Sequence, residues 1–595
     1  MNKKLVNLLL VIMMLALWVP TTLAAPPAQE EGQDYVVVAD DWLSKLSDKY
    51  LGNALAYPAI VEFTNKKHAE DDSYAEITDP DLIEVGWKIY IPSAAEAEAH
   101  LAAARPTRGG TLRTEYAWMP YVEDPAADGV GTGYVGLSIA EPLVWVGGDG
   151  VPRPQLAKSW EANEDATVWT IHLQEGVTFN NGKPFGADDV IWNLKHWLDP
   201  DTGASTAAKL DMLQPEGIKK IDDLTIELTL DRPNADLMLV FYDYPTMIAP
   251  EGGWTDFYSG DPADAIGTGP FMMESFVPDE RFVLVRNPNY WQLGEDGLPL
   301  PYVDKVVITA GWDDAARLAA LIGDEADRLS PGEPILEELQ KYPDEIKIKT
   351  FFTGWITPIV ARVDLEPFAS DPNIMKALKL TQDRQQVKDL VQPLGGVAYD
   401  HWILPNAAAY CPDTDVDGRP QDIEGAKALL AESGYGPDNP LQLTLATADD
   451  GFRPAYAQVF KEQAALAGVE VTIDIYPSDA FWDQWAEWPF SISGWSGRIP
   501  ATANINLALR CDAAWSEAYY CNPELDAVLD AVDSAVDLEE KRELYCQIQK
   551  IMQDDAPYLI PFFAAEFAAM RSRVHEPDDW SRGGFLWHLT WLESD

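Results

Sequence analysis

Between Gly109 and Trp591 the chain switches repeatedly between two hydrophobic periods, and this alternation restricts its fold more than any other feature. Trp169-Thr170-Ile171-His172-Leu173 alternates apolar and polar residues as a strand does, and Val177-Thr178-Phe179 before the Asn180-Asn181-Gly182 turn predicts a second. Ala187 to Trp197 instead places Val190, Ile191, Leu194 and Trp197 on one face of a helix. Further helices are predicted over Gln421 to Ser433 and Leu538 to Gln553. Strands are predicted at Thr225 to Leu230, Phe282 to Val285, Leu441 to Leu445 and Val469 to Ile475. Interleaving on this scale predicts an α/β protein, and 595 residues are too many for one core. A hydrophobic fraction of 47% with 22 tryptophans is ample for several packed cores.

The N-terminus predicts the compartment. Lys3 and Lys4 precede an apolar run from Leu5 to Val19, too short to span a bilayer, and Thr22-Leu23-Ala24 offers small residues for cleavage. Residues 1–24 therefore read as a signal peptide, and the mature chain as secreted, either periplasmic or associated with the cell wall. The formal charge of −54 repels phosphate backbones, so no nucleic-acid partner is expected. In an oxidising compartment the four cysteines can pair. Cys511 and Cys521 are spaced for a closed surface loop; Cys411 and Cys546 are compatible with a second bridge or with buried thiols.

Residues 34–92 read as a small separate unit. Tyr35 to Val38 forms an opening strand, Asp41 to Leu51 a helix with Trp42, Leu43 and Leu46 on one face, and Lys88 to Ile91 a closing strand. Lys66 to Ser73 reads as a polar insertion. The opening strand, Lys49-Tyr50-Leu51-Gly52, Asn65 and the segment from Gly86 to Ile91-Pro92 together resemble the lysin motif. That βααβ module binds N-acetylglucosamine-containing glycans, so the resemblance implies peptidoglycan as a partner of residues 34–92. It departs from the family at Ala39-Asp40-Asp41, where Gly-Asp-Thr is usual. The Ala/Glu-rich residues within 93–108 read as a helical linker.

Catalytic patterns appear and fail. Gly131-Thr132-Gly133-Tyr134-Val135-Gly136 follows an acidic loop and not the strand a dinucleotide site needs. The run from Gly176 to Gly182-Lys183 has the wrong spacing for a phosphate loop, and Pro184 replaces the required hydroxyl. Gly494-Trp495-Ser496-Gly497 is one residue short of a nucleophile elbow. Seven histidines form no H-E-x-x-H pair. No enzymatic activity and no required cofactor are expected. One metal pattern does fit: Asp413, Asp415, Asp417, Gly418 and Glu424 match the calcium loop D-x-D-x-D-G-x5-E, which implies a possible structural calcium.

A second resemblance spans Gly109 to Trp591. Gly109-Gly110-Thr111-Leu112-Arg113, Glu141-Pro142-Leu143-Val144 and Pro154-Gln155-Leu156-Ala157 appear first. Gly267-Thr268-Gly269-Pro270-Phe271, Arg286-Asn287-Pro288-Asn289-Tyr290-Trp291 and Tyr520-Cys521-Asn522-Pro523 follow in order. This series resembles the family 5 extracellular solute-binding proteins, the peptide and oligosaccharide receptors of ABC importers. The resemblance implies a two-lobed periplasmic-binding-protein fold of the class II type, in its large variant with a discontinuous first lobe. Lobe I would cover 109–340, lobe II 341–560, and residues 561–595 would return to lobe I.

Ligand would lie between the lobes and be handed to an ABC permease in the membrane. Tyr116 and Trp118 follow the first strand, where the family's cleft floor lies. Trp495, Ser496 and Arg498 belong to a stretch that resembles its ligand-contacting segment, with Trp482 and Trp485 as further aromatic candidates. Peptide binders in the family hold the α-ammonium with an acidic group, whereas Pro500-Ala501-Thr502-Ala503-Asn504 carries none here. Peptides remain the first expectation, oligosaccharides the alternative. A wall-bound glycan hydrolase is the rival from another class, and would need two carboxylates roughly 5–10 Å apart across a cleft.

Overall fold

The computed structural model describes residues 32–593 apart from 39–40, 78–79, 81, 104, 117–122, 128–131, 243, 416–417, 512, 514 and 578–585. The expected signal peptide, Trp118 and Asp417 therefore lie outside the described residues. The chain divides into two compact units, 1–106 and 107–595. Among the described residues no helix is long and apolar enough to cross a membrane.

In the first unit the strands Gln33–Val36 and Lys88–Ile91 pair antiparallel. Between them run the helices Leu43–Leu51 and Tyr57–Glu70. Leu43 and Leu46, one turn apart, bury against Ile60, Ile77, Ile89 and Ile91. Gly52 ends the first helix in the left-handed region, at φ 71°, where a side chain is disfavoured. The run beginning at Lys66 was expected as an insertion, yet Lys66 to Glu70 is the last turn of the second helix. That helix buries Ala59, Ile60 and Thr64, a stripe too short to show as periodicity. Asn65 fixes its position by bonding both Ile77 N–H and Ile77 carbonyl, at 2.7 and 2.9 Å. The expected linker contains the helix Ala94–Ala103, which packs on this unit through buried Ala97 and an edge contact of His100 with Phe63.

Among the described residues the second unit has three large sheets and two two-stranded ones. An eight-stranded sheet runs Phe271–Val277, Arg281–Arg286, Lys305–Thr309, Thr111–Glu115, Arg328–Leu329, Phe562–Arg571, Ile346–Ile356, with Gly396–Val397 also on Phe562–Arg571. It is mixed, because Thr111–Glu115 lies parallel to Lys305–Thr309 while its outer pairs are antiparallel. A five-stranded sheet runs Val469–Tyr476, Leu441–Ala448, Phe490–Ile492, Ile359–Ala361, Tyr558–Leu559. A four-stranded antiparallel sheet combines Ala157–Ala162, Val168–Leu173, Thr225–Leu230 and Leu213–Asp222. In Val168–Leu173 the alternation read from sequence is realised: Trp169, Ile171 and Leu173 enter the core. The predicted strand Val177 to Phe179 reduces to a single bridge, Thr178 to Pro184.

Two short passages carry the chain between the large sheet and the five-stranded one. Thr357-Pro358 joins Ile346–Ile356 to Ile359–Ala361, and Ile560-Pro561 joins Tyr558–Leu559 to Phe562–Arg571. Proline supplies no N–H to a ladder, so at each passage only its carbonyl is left to accept, Pro358 from Ser493 N–H and Pro561 from Ala398 N–H. The outward passage had been expected near 340. Ile346–Ile356 instead pairs with Phe562–Arg571 along most of its length, an association across more than 200 residues that local patterning does not reveal.

The sequence motifs that form the family series build scaffold. Gly267 and Gly269 lie against the chain at Ile139, where added β-carbons would meet the Ile139 carbonyl oxygen at 2.0 and 2.7 Å. Gln155, Tyr290 and Trp291 all donate hydrogen bonds to Glu141. Burial raises that carboxyl to about 7, the hydrogen bonds opposing the rise. Both disulfides are formed, Cys511–Cys521 and Cys411–Cys546.

Candidate functional site

After the central strand Phe490–Ile492 the chain leaves the sheet and runs beside the outward crossing. Ser493 N–H donates to the Pro358 carbonyl at 2.9 Å, and Trp495 exchanges both backbone hydrogen bonds with Ile356 at 3.0 Å. Gly497 then passes so close to the crossing strand that a β-carbon would lie 1.8 Å from the Thr353 oxygen. The segment Gly494 to Arg498 is thus registered on the passage between the sheets.

Two cavities flank it, and Arg498 lines both. The larger, about 1040 Å³, is walled by Trp482, Trp485, Trp495, Trp515, Tyr519, Tyr520, Ser496 and the Cys511–Cys521 bridge. Aromatic rings give broad contact at little entropic cost, and a volume of this size suits a sizeable organic ligand. Trp495 is only 3% exposed. Its ring lies among Trp402 at 5.4 Å, Trp485 at 5.9 Å and Trp515 at 6.1 Å, so it forms the floor. The Arg498 guanidinium lies over Trp515 at 5.2 Å and donates to Asn504 Oδ1 at 2.6 Å, while Asn504 returns a bond to the Ser496 carbonyl.

The smaller cavity, about 390 Å³, lies between the four-stranded sheet and the segments around the five-stranded one. Trp160, Glu161 and Trp169 face Trp402, Leu404 and Tyr545 across it, with Phe352 to Gly354 of the crossing strand between. Its rim is tied: Ala408 N–H donates to the Asp149 carbonyl at 2.9 Å, Ala235 N–H to the Asp533 carbonyl at 2.7 Å, and Lys541 pairs with Asp236.

Of the residues singled out from sequence, Trp495, Ser496 and Arg498 come together at these cavities, as do Trp482, Trp485, Cys511 and Cys521. Tyr116 ends the strand side by donating its N–H to Thr309 and packs on the core of the large sheet, lining neither cavity. The expected calcium loop takes another form. Asp415 accepts from Tyr410 and Gln553 at 2.6 and 2.7 Å and lies 3.0 Å from His401 Nε2. Glu424 pairs with Lys427 at 2.8 Å, and Asp413 is exposed. Among the described residues no three potential ligands converge into a metal site. The spacing of the motif was met, but Asp415 and Glu424 are engaged by other side chains of the protein.

Glu517 escaped sequence reading, since nothing local distinguishes one acid in an acidic chain. Its carboxylate lies behind the cavity floor, accepting from Trp495 Nε1 and Ser493 Oγ, each at 2.6 Å. Burial raises it to about 7, the bonds from Ser493, Trp495 and Tyr558 opposing the rise. A carboxyl raised in the folded state binds its proton better there than unfolded. The stability it contributes is present below about pH 4.5 and is lost as pH climbs towards 7. Glu517→Gln should therefore gain on wild type between pH 5 and pH 8, by on the order of 3 kcal/mol. Urea melts at the two pH values read this, and a constant difference would refute it.

The sequence profile of the family described as bacterial extracellular solute-binding proteins, family 5 Middle, matches residues 151–516. The periplasmic oligopeptide-binding protein OppA of Escherichia coli is 25% identical over 462 residues, 73% of this chain and 83% of its own. Di/tripeptide-binding protein 2 of Pseudomonas aeruginosa is 26% identical over 491 residues, 74% and 88% of the two chains. Among solved structures, the oligopeptide-binding protein AppA of Bacillus subtilis, in complex with a nonapeptide, superposes with a TM-score of 0.61 at 22% identity. It covers 82% of this chain and 100% of its own. The ABC transporter substrate binding protein CtaP of Listeria monocytogenes gives 0.68 at 21% identity, with 82% and 100% covered.

Proposed function

The chain belongs to the bacterial extracellular solute-binding proteins of family 5, and from that membership we propose that it is the extracytoplasmic receptor of an ABC importer for peptides. The observation that carries this reading is the aromatic cavity of about 1040 Å³ set on the passage between two sheets. Relatives whose names specify oligopeptides and di- or tripeptides support the ligand class. Peptide packs on the second-lobe wall of this cavity, against Trp515 and above the Trp495 floor, and presents polar groups to Arg498 and Ser496. Closure around it favours the form the permease recognises, to the extent that peptide binds that form more tightly. The guest leaves unaltered, so the protein acts as a carrier and not as an enzyme.

One observation favours an oligosaccharide as the second reading. The described lining of the larger cavity contains no carboxylate to hold an α-ammonium, whereas indole faces suit sugar rings. Titration calorimetry with random tetrapeptide pools and with β-linked oligosaccharides separates the two. Heat from the peptides alone is expected; heat from the sugars alone would transfer the assignment, and silence from both would end it.

For the first unit the same proposal includes peptidoglycan. Its βααβ order and the exposed Trp42, Leu82 and Val85 support a glycan-binding, lysin-motif-like role. Co-sedimentation of the intact protein with insoluble peptidoglycan should retain it, and Trp42→Ala should release it. Full recovery of wild type in the supernatant would reduce the unit to a spacer.

A further inference from the structure

The loop closed by Cys511–Cys521 supplies the aromatic wall through Trp515 and Tyr519, yet it also sends an acidic side chain inward. Glu517 is 2% exposed. Its Oε1 accepts from the Trp495 indole N–H at 2.6 Å and lies 3.4 Å from the Tyr558 hydroxyl, while Oε2 accepts from Ser493 Oγ at 2.6 Å. Its hydrogen-bond partners among the described residues are Ser493, Trp495 and Tyr558, none of them a cation.

These three donors belong to segments that the chain brings together only in the fold. Ser493 and Trp495 bracket Gly494 where the chain leaves the central strand, and Tyr558 belongs to the strand that precedes the return crossing. A buried carboxylate without a counterion is a poor device for stability, because an apolar side chain of similar size avoids its desolvation. What it does well is orient. Trp has a single polar hydrogen, and an acceptor on that hydrogen removes the ring's freedom to turn about its own axis. Here the ring so held is the floor of the larger cavity, with Trp402, Trp485 and Trp515 packed around it.

We propose that Glu517 is a positioning residue of the ligand site: by accepting from Trp495 and Ser493 it fixes the aromatic floor and ties it to the disulfide-closed loop. The proposal rests on the reading of the larger cavity as the ligand site. Reach matters in it more than charge. Glutamine keeps the length, leaves an oxygen for Trp495 and Tyr558, and offers its amide to Ser493 Oγ as a donor. Aspartate keeps the charge and falls short by one methylene.

The test uses the intact, oxidised protein with ¹⁵N-labelled tryptophan. The Trp495 indole resonance is assigned by its loss in Trp495→Phe, and binding is read with a random tetrapeptide pool. In Glu517→Gln the indole resonance should stay displaced from the free-indole position and the dissociation constant should remain within about threefold of wild type. In Glu517→Asp the resonance should move towards the free position and the dissociation constant should rise at least about tenfold. Both are measured at a temperature where melts show each variant folded. Unmoved resonance and unchanged affinity in Glu517→Asp would overturn the proposal, as would a loss in Glu517→Gln as large as that in Glu517→Asp, which would show that reach is not what the site requires. A pool that gives no heat with wild type defeats the peptide reading instead; the indole resonance in the two variants then decides the positioning role by itself.

Discussion

Replacing both Cys411 and Cys546 by serine should destabilise the second lobe by about 5 kcal/mol, a large share of the stability of any single lobe. The bridge spans 135 residues, and the chain entropy released on opening so long a loop dominates the effect. The surrounding contacts give no easy substitute. Cys411 is 3% exposed, its N–H donates to Gln549 Oε1 at 2.9 Å, and Gln549 Nε2 returns a bond to the Cys411 carbonyl at 3.0 Å. These bonds tie the segment after Trp402 to the helix Leu538–Asp554. The Cys511–Cys521 bridge closes a loop with a separation of only 10, and the matched double replacement there should cost about 3 kcal/mol. The two variants should differ in a second way. The short bridge lines the larger cavity, so its loss should weaken peptide binding, while the long bridge lines neither cavity. Denaturant melts beside calorimetry separate these effects. Equal losses of stability, or weakened binding in the folded long-bridge variant alone, would contradict the assignment.

Gly497→Ala should damage the site more than any change of similar size elsewhere in the second lobe. Its β-carbon would stand 1.8 Å from the Thr353 oxygen and 2.7 Å from both the Gly354 carbonyl carbon and α-carbon. All three are main-chain atoms, so no rotamer change relieves the contact. One of the two strands must move, by more than an ångström, and the passage between the sheets moves with it. Overpacking of this kind typically costs about 1–3 kcal/mol. Arg498 and Ser496 are carried off with the segment, and peptide affinity should fall by at least about tenfold. Gly436→Ala is the control, because no atom lies within 4 Å of its added carbon. A Gly497→Ala protein that melts and binds as the Gly436→Ala protein does would show that the segment and the crossing strand are independent.

The resemblance of Gly494 to Arg498 to a ligand-contacting stretch selected a segment that does border both cavities. It could not indicate that Trp495 would face the cavity as a nearly closed floor, because ring exposure depends on Trp402 and Trp485, which approach from other segments. Tyr116 illustrates the converse. Its place after the first strand suggested a cleft residue, and packing against the large-sheet core took it instead. The carboxylates at 413, 415 and 424 met the spacing of a calcium loop. His401, Tyr410 and Gln553 converge on Asp415 from far along the chain, and no local pattern signals such competitors.

Properties carried by neighbouring residues were present in the order of amino acids itself: the alternation that makes Val168–Leu173 a strand, the apolar face of Ala187–Leu198, the glycines that admit the chain beside Ile139. These follow from periodicity and from the space a side chain needs, and both act within a few residues. Where the sheets exchange the chain, which ring floors the cavity, and what holds a buried carboxylate were settled by segments that meet after folding. Those meetings depend on pairing across hundreds of residues, and pairing at that range leaves no imprint on either partner alone.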